Sequence, residues 1–172
     1  GVDLLRWQMT VRKQSKFDIK TPLRRPRIAV LLCDCGRSLE RSLDFSVITA
    51  AAQKLPGVAK VICATDLCQV DGAHKCISAL SDDRITHVLI AACAPAYYQT
   101  AIESALASGQ VNPNLLLSQV NIREHCAWVH TDRDQASEKA ARLIALAVER
   151  LRLSRCVADR SMRLNQRVLV IG

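Results

Sequence analysis

The sequence predicts an α/β domain in which a parallel, Rossmann-like or flavodoxin-like sheet carries helices on both faces. Three observations lead to this prediction. Short apolar runs alternate with segments of helical periodicity, each run has the length of a strand, and Gly, Pro or Asp separates most elements. Strands that alternate with helices form parallel sheets, and their connections are almost always right-handed.

Five apolar runs are predicted to be strands. They are continuous rather than alternating, which is typical of strands buried on both faces of a parallel sheet. Charged residues, glycine or cysteine mark most of their ends. The predicted strands span residues 28–32, 59–64, 87–92, 115–120 and 167–172.

Four helices are predicted between and after these strands. Asp44 caps the first, and Pro56 and Gly57 stop it. The second runs from Asp71 through Leu80, and the third closes at Gly109. The fourth and longest covers residues 133–153, where alanines and aliphatic residues repeat at helical spacing.

Three regions are predicted along the chain. Residues 1–26 form a basic arm, residues 27–153 the α/β domain, and residues 154–172 a linker followed by the first strand of a further domain. Of the net charge of +8, residues 1–27 contribute +6 because they hold eight Lys and Arg against two Asp. No stretch is long and apolar enough for a membrane span, and no export signal is found. We therefore expect a cytoplasmic protein.

The eight cysteines are the unusual feature of the composition. Without an export signal, we expect metal ligation, redox chemistry or simple burial rather than disulfides. Six of them fall at or after the ends of predicted strands. Because the carboxyl ends of parallel strands meet at one edge of a sheet, their thiols are expected to converge. The six are Cys33, Cys35, Cys63, Cys68, Cys93 and Cys126.

The eight cysteines are not equally good candidates for metal ligands. Cys63 and Cys76 are interpreted as small hydrophobic residues, and Cys156 as incidental. Four thiolates suffice for tetrahedral zinc or an iron–sulfur cluster, and the spacing alone does not choose between them. The strongest candidates are Cys35, Cys68, Cys93 and Cys126.

Four segments resemble a known family. They are Cys33-Asp34-Cys35-Gly36, Leu67-Cys68, Ala91-Ala92-Cys93-Ala94-Pro95 and, above all, the block 121–130, NIREHCAWVH. In this order and spacing they are similar to the N-terminal domain of the heterodisulfide reductase A subunit, a flavin and iron–sulfur electron-transfer protein of anaerobes. The resemblance covers about residues 27–172.

The resemblance implies a [4Fe–4S] cluster in residues 27–153, with ligands drawn from five cysteines: Cys33, Cys35, Cys68, Cys93 and Cys126. Cys33, deepest in its strand, is the first that we would leave out. The strand at 167–172 would open an FAD-binding domain in longer relatives. Because the chain stops before a phosphate-binding loop, we expect no FAD on this chain alone.

The function implied is electron relay within a heterodisulfide-reductase-type complex, with partner subunits that include hydrogenase-linked or formate-dehydrogenase-linked ones. We expect a redox module rather than a complete enzyme. The alternative is a zinc-stabilised structural or protein-interaction domain. Binding of nucleic acid through the basic arm ranks last, because no recognised motif accompanies the charge.

Two residues of the 121–130 block have open interpretations. Arg123 either offsets the negative charge of a cluster or forms a surface salt bridge with Glu124 or another neighbour. Trp128 is expected in the core or as a shield over the cluster.

Overall fold

The computed structural model of the chain describes residues 26–81, 84–108 and 115–154. Almost all of the predicted basic arm lies outside these residues, as do Gly109, Cys156, most of the linker and the strand predicted at 167–172. The domain boundaries drawn from the sequence therefore remain predictions.

Within the described residues, the predicted strands and helices are found with ends shifted by a few residues. The strands are β1 (Ile28–Cys33), β2 (Val58–Ala64), β3 (His87–Ala92) and β4 (Leu116–Asn121). The helices are α1 (Phe45–Gln53), α2 (Val70–Ser78), α3 (Gln99–Ala107) and α4 (Arg133–Leu153). Two short elements were not predicted: a 3-10 turn at Pro95–Tyr97 and a π-helical turn at Arg123–Ala127. Among the described helices, none could cross a membrane.

The four strands form one parallel sheet in the order β2-β1-β3-β4. Strand β1 lies between two neighbours, and all six of its residues are buried. Its central Leu31 stands opposite Ile62 of β2 and Ile90 of β3. The predicted α/β class with a parallel sheet is therefore confirmed.

Helices cover both faces of this sheet. Successive side chains of β1 point to opposite sides, so each face presents apolar residues on which helices pack. Ala29, Leu31 and Cys33 pack with buried residues of α2 and α3. Ile28, Val30 and Leu32 pack with buried residues of α1 and α4. The sheet thus separates two apolar layers, and the layer in which a cysteine lies decides which partners it meets.

Asp44 is the N-cap of α1, as predicted. Its carboxylate accepts hydrogen bonds from the backbone N–H groups of Ser46 and Val47 at 3.0 and 3.2 Å. Its own N–H donates to the Ser137 hydroxyl of α4 at 2.8 Å, and its other carboxylate oxygen lies 3.3 Å from Arg133. These contacts fix the start of α1 against α4.

The strand order creates a switch point beside β1. The chain passes from β1 to β2 on one side and then crosses to β3 on the other. In open parallel sheets, ligands bind outside the carboxyl ends of the strands at such a point. The segments that follow β1 and β3 flank it, and both carry cysteines.

Candidate metal centre

A cavity of about 330 Å³ lies at the switch point. Four of the five candidate ligands line it: Cys33, Cys35, Cys68 and Cys93. A larger cavity, of about 580 Å³, lies between α3 and β4, but no cysteine lines it. The thiol-lined cavity is therefore the candidate site, although it is the smaller of the two.

Cys35 is placed by a tight turn at the end of β1. The turn continues the hydrogen bonding toward β2: Asp34 N–H donates to the Ala64 carbonyl at 2.9 Å, and Gly36 N–H donates to that of Thr65 at 2.6 Å. Cys35 and Gly36 have φ angles of +53° and +69°, in the left-handed region. A non-glycine residue is strained there, by roughly 1 kcal/mol. The turn therefore holds the Cys35 thiol at the cost of local backbone strain.

Three thiols of the cavity influence one another's ionisation. The Cys35 side chain lowers the pKa of both Cys33 and Cys93 by interaction with their sulfur atoms. The contact with Cys35, aided by hydrogen bonds from the backbone of Leu67 and Cys35, lowers the pKa of Cys33 to about 6, although burial opposes it. The same contact with Cys33, together with burial, raises the pKa of Cys35. The site thus favours a thiolate on one member of the pair, and thiolates are the form in which cysteine binds metals.

Cys68 belongs to the turn between β2 and α2, and its side chain is exposed. The turn is closed by a 2.9 Å hydrogen bond from Gln69 N–H to the Asp66 carbonyl. Gly72 of α2 packs directly on this turn. A Cβ at position 72 would overlap both the backbone carbonyl and the carboxylate of Asp66. The absence of a side chain at Gly72 is therefore what allows this turn to lie where it does.

We expect the substitution Gly72→Ala to displace the Cys68 turn. Overpacking of this kind destabilises a fold by roughly 1–3 kcal/mol. Urea unfolding measures the loss of stability, and the reactivity of Cys68 toward a thiol reagent measures the displacement. Ser78→Ala, at the exposed end of the same helix, is the matched control and should change neither. Unchanged stability of Gly72→Ala would contradict the packing described for this turn.

The fifth candidate, Cys126, does not line the cavity. It lies in the π-helical turn after β4 and is completely buried in the apolar layer of α1 and α4. Cys33 and Cys93 belong to the opposite layer, with α2 and α3. Burial raises the pKa of Cys126, which favours its neutral thiol. The cavity therefore includes Cys33, the candidate that the sequence would have excluded first, whereas Cys126 lies elsewhere.

The two other cysteines of the α/β region differ in their placement. Cys76 is 5% exposed in the layer of α2 and α3, as expected for a small hydrophobic residue. Cys63 is exposed, so its interpretation as a buried residue is wrong. It lies on β2, which is the edge of the described sheet, and its sulfur lies 3.6 Å from the Thr49 hydroxyl.

Arg123 supplies the positive charge of the cavity lining. Its guanidinium donates to Glu124 at 2.8 Å, and the Arg123 side chain is 18% exposed. It also lies over the rings of Tyr97 and Trp128, at 4.8 and 4.9 Å from their centroids. Its charge partly offsets the rise that burial causes in the pKa of Cys93. The ion pair with Glu124 is therefore found, and Arg123 also lines the thiol cavity, while the interpretation that it offsets the charge of a cluster stays a prediction.

The aromatic contacts of Arg123 were not predicted. Trp128 was expected to be in the core or to shield the site, but it is 66% exposed, and the core interpretation is wrong. Tyr97 lies in the unpredicted 3-10 turn and also lines the cavity. In the sequence, the pair Tyr97-Tyr98 after Pro95 was the feature that could have indicated such an aromatic contact.

As the side chains stand, no three His, Cys, Asp or Glu residues within 26–81, 84–108 and 115–154 are grouped so that they could hold a metal ion. The donor chemistry of the cavity is nevertheless specific. Thiolates are preferred by zinc and by iron–sulfur clusters, whereas magnesium and calcium take oxygen ligands. By donor type, the four thiols therefore suit a soft metal centre.

Comparison with known proteins identifies the group to which the chain is similar. No family model matches it. It is 34% identical over 147 residues to the A subunit of the ferredoxin:CoB-CoM heterodisulfide reductase of Methanosarcina mazei, covering 85% of this chain and 18% of that protein. The resemblance predicted from the sequence is confirmed. The chain is homologous to a segment of the heterodisulfide reductase A subunit.

Two further heterodisulfide reductase relatives carry a cofactor class in their names. The first of two iron-sulfur A subunits of the CoB–CoM heterodisulfide reductase of Methanopyrus kandleri is 33% identical over 150 residues, which is 85% of this chain and 22% of that protein. The iron-sulfur A subunit of Methanocaldococcus jannaschii is 31% identical over 148 residues, with 86% and 22% covered. The chain thus spans about a fifth of the length of these relatives.

Proposed function

We propose that this chain binds a [4Fe–4S] cluster through Cys33, Cys35, Cys68 and Cys93 and relays electrons within a heterodisulfide-reductase-type complex. The observation that carries the proposal is the convergence of four thiols on one cavity, one from the last residue of β1 and three from the segments after β1, β2 and β3. Such a cluster is commonly held by four cysteine thiolates and exchanges electrons one at a time.

The local chemistry of the cavity supports thiolate ligands. The backbone of Leu67 and Cys35 helps to lower the pKa of Cys33, and Arg123 brings a positive charge to the lining. Hydrogen bonds to sulfur and nearby charge are the means by which proteins adjust the reduction potential of such centres. The lining therefore holds both the ligands and the groups that would modulate them.

The position of the cavity supports exchange with a partner. Cys33 and Cys93 are 3% and 6% exposed, whereas Cys68 and the ring of Tyr97 are exposed at its margin. A centre held here would be shielded on its inner side and close to the surface on the other. This placement suits a relay between subunits rather than a closed structural site.

The partner class follows from the relatives. Their names describe them as subunits, one of a H2/formate:CoB-CoM heterodisulfide,ferredoxin reductase. We propose partner subunits of the same kind for this chain. The expectation that this chain alone binds no FAD concerns residues 154–172, most of which lie outside the described residues, so it stays a prediction.

The test is anaerobic purification of the full chain, followed by iron and acid-labile sulfide analysis and an absorption spectrum. We expect about four iron and four sulfide per chain and broad, oxygen-sensitive absorption at about 400 nm. A protein that binds zinc and neither iron nor sulfide would contradict the proposal and favour a zinc-stabilised interaction domain.

A further inference from the structure

Arg123 is the one guanidinium among the described residues that line the thiol cavity. Cys35, Cys93 and Arg123 all belong to this lining, and the effect of the Arg123 charge reaches both thiols. With its side chain 18% exposed, Arg123 is half-buried in this lining. A positive charge in this place acts on any charge that develops within the cavity.

The ion-pair partner of Arg123 does not line the cavity. Glu124 forms the ion pair but is absent from the lining. The backbone N–H of Glu124 donates to the Asn121 side chain at 3.0 Å, which fixes the start of the π-helical turn. Of the two charges of this pair, the positive one therefore belongs to the cavity lining and the negative one does not.

The two aromatic rings complete the placement of Arg123. Tyr97 and Trp128 are 61% and 66% exposed, yet both rings lie under the guanidinium. A guanidinium is attracted to the face of an aromatic ring by the electrostatic field of the ring. Contacts with Glu124 and with two exposed rings thus hold Arg123 in place.

We propose that Arg123 sets the reduction potential of the centre held by the four thiols, and that Glu124, Tyr97 and Trp128 are the residues that position it. The inference rests on the proposed function. Addition of an electron makes a thiolate-bound cluster more negative, and a fixed positive charge stabilises that reduced state. Arg123 therefore raises the potential.

The experiment is an anaerobic redox titration of the iron-loaded full chain, followed by EPR, with iron content and thermal unfolding measured alongside. Arg123→Gln is expected to lower the midpoint potential, and Arg123→Lys, which keeps the charge but loses the planar contacts, should lower it less. Glu124→Gln keeps a side-chain oxygen that accepts from Arg123 and so keeps it in position, but it removes the opposing negative charge and should shift the potential upward. These opposite signs are not expected from a general loss of structure.

Matched controls separate a local effect from a general one. Arg142→Gln removes an exposed, ion-paired arginine of α4 that does not line the cavity, and it should leave the potential unchanged. Trp128→Leu should lower the potential at constant charge, whereas Val129→Ala, equally exposed next to it, should not.

Equal potentials of the wild type and Arg123→Gln, at equal iron content, would overturn this inference and leave the proposed function standing. The same holds if Arg142→Gln shifts the potential as much as Arg123→Gln does. A wild-type chain that binds no iron would overturn the proposed function and the inference together. If Arg123→Gln fails to fold, the opposite shifts expected of Arg123→Lys and Glu124→Gln decide.

Discussion

Replacement of Cys93 by serine is expected to remove most of the iron from the anaerobically purified protein, whereas replacement of Cys126 by serine leaves it in place. Both thiols are buried, at 6% and 0% exposure, so a serine hydroxyl disturbs an apolar environment in both variants. Only Cys93 lines the cavity and contacts Cys35. We therefore expect the two substitutions to lower the stability of the fold by similar amounts, whereas only Cys93→Ser removes a proposed ligand.

Iron and sulfide per chain, with the absorption spectrum, measure the result. Cys33→Ser completes the comparison, because Cys33 and Cys126 are the residues on which the sequence argument and the structure differ. Loss of iron from Cys126→Ser together with full iron in Cys33→Ser would contradict the four-thiol set proposed from the cavity.

Leu31→Ala is expected to lower the free energy of unfolding by about 2–5 kcal/mol, the usual cost of truncating a fully buried leucine. Leu31 is 0% exposed at the centre of β1 and packs in the layer that also holds Cys33 and Cys93. Since strand β1 pairs with two neighbours, little of the resulting cavity can close by local movement.

Urea denaturation measures this loss in the free energy of unfolding. Leu117→Ala is the matched control: Leu117 also lies on a strand but is 44% exposed on β4, and its truncation should cost less than about 1 kcal/mol. Equal losses in the two variants would mean that β1 is not the centre of the core.

The sequence was sufficient for the parts of the fold that depend on period and on strong caps. The run from Ile28 and the cap at Asp44 are local patterns, and both lie where they were predicted. The convergence of thiols after β1, β2 and β3 followed from the geometry of parallel sheets alone.

The face on which a residue lies after a strand could not be predicted, because it depends on the turn that follows. Cys35 takes a left-handed conformation at the end of β1, and Cys126 lies in a π-helical turn after β4. Neither conformation follows from periodicity. The two cysteines looked alike in sequence, since each comes within a few residues of the end of an apolar segment, and they differ in structure because these turns differ.

The central position of β1 has a consequence for the order in which the site is made. Cys33 and Cys35 lie at the end of β1, Cys68 comes after β2, and Cys93 follows β3, so they are neighbours only when all three strands have paired. In the nascent or unfolded chain only the Cys33–Cys35 pair is close. Pairing of distant parallel strands is a slow, late step of folding because a long loop must first be closed. A metal centre held by these four thiols, as proposed above, would therefore be assembled on a sheet that has already formed, and metal would be delivered after folding rather than guide it.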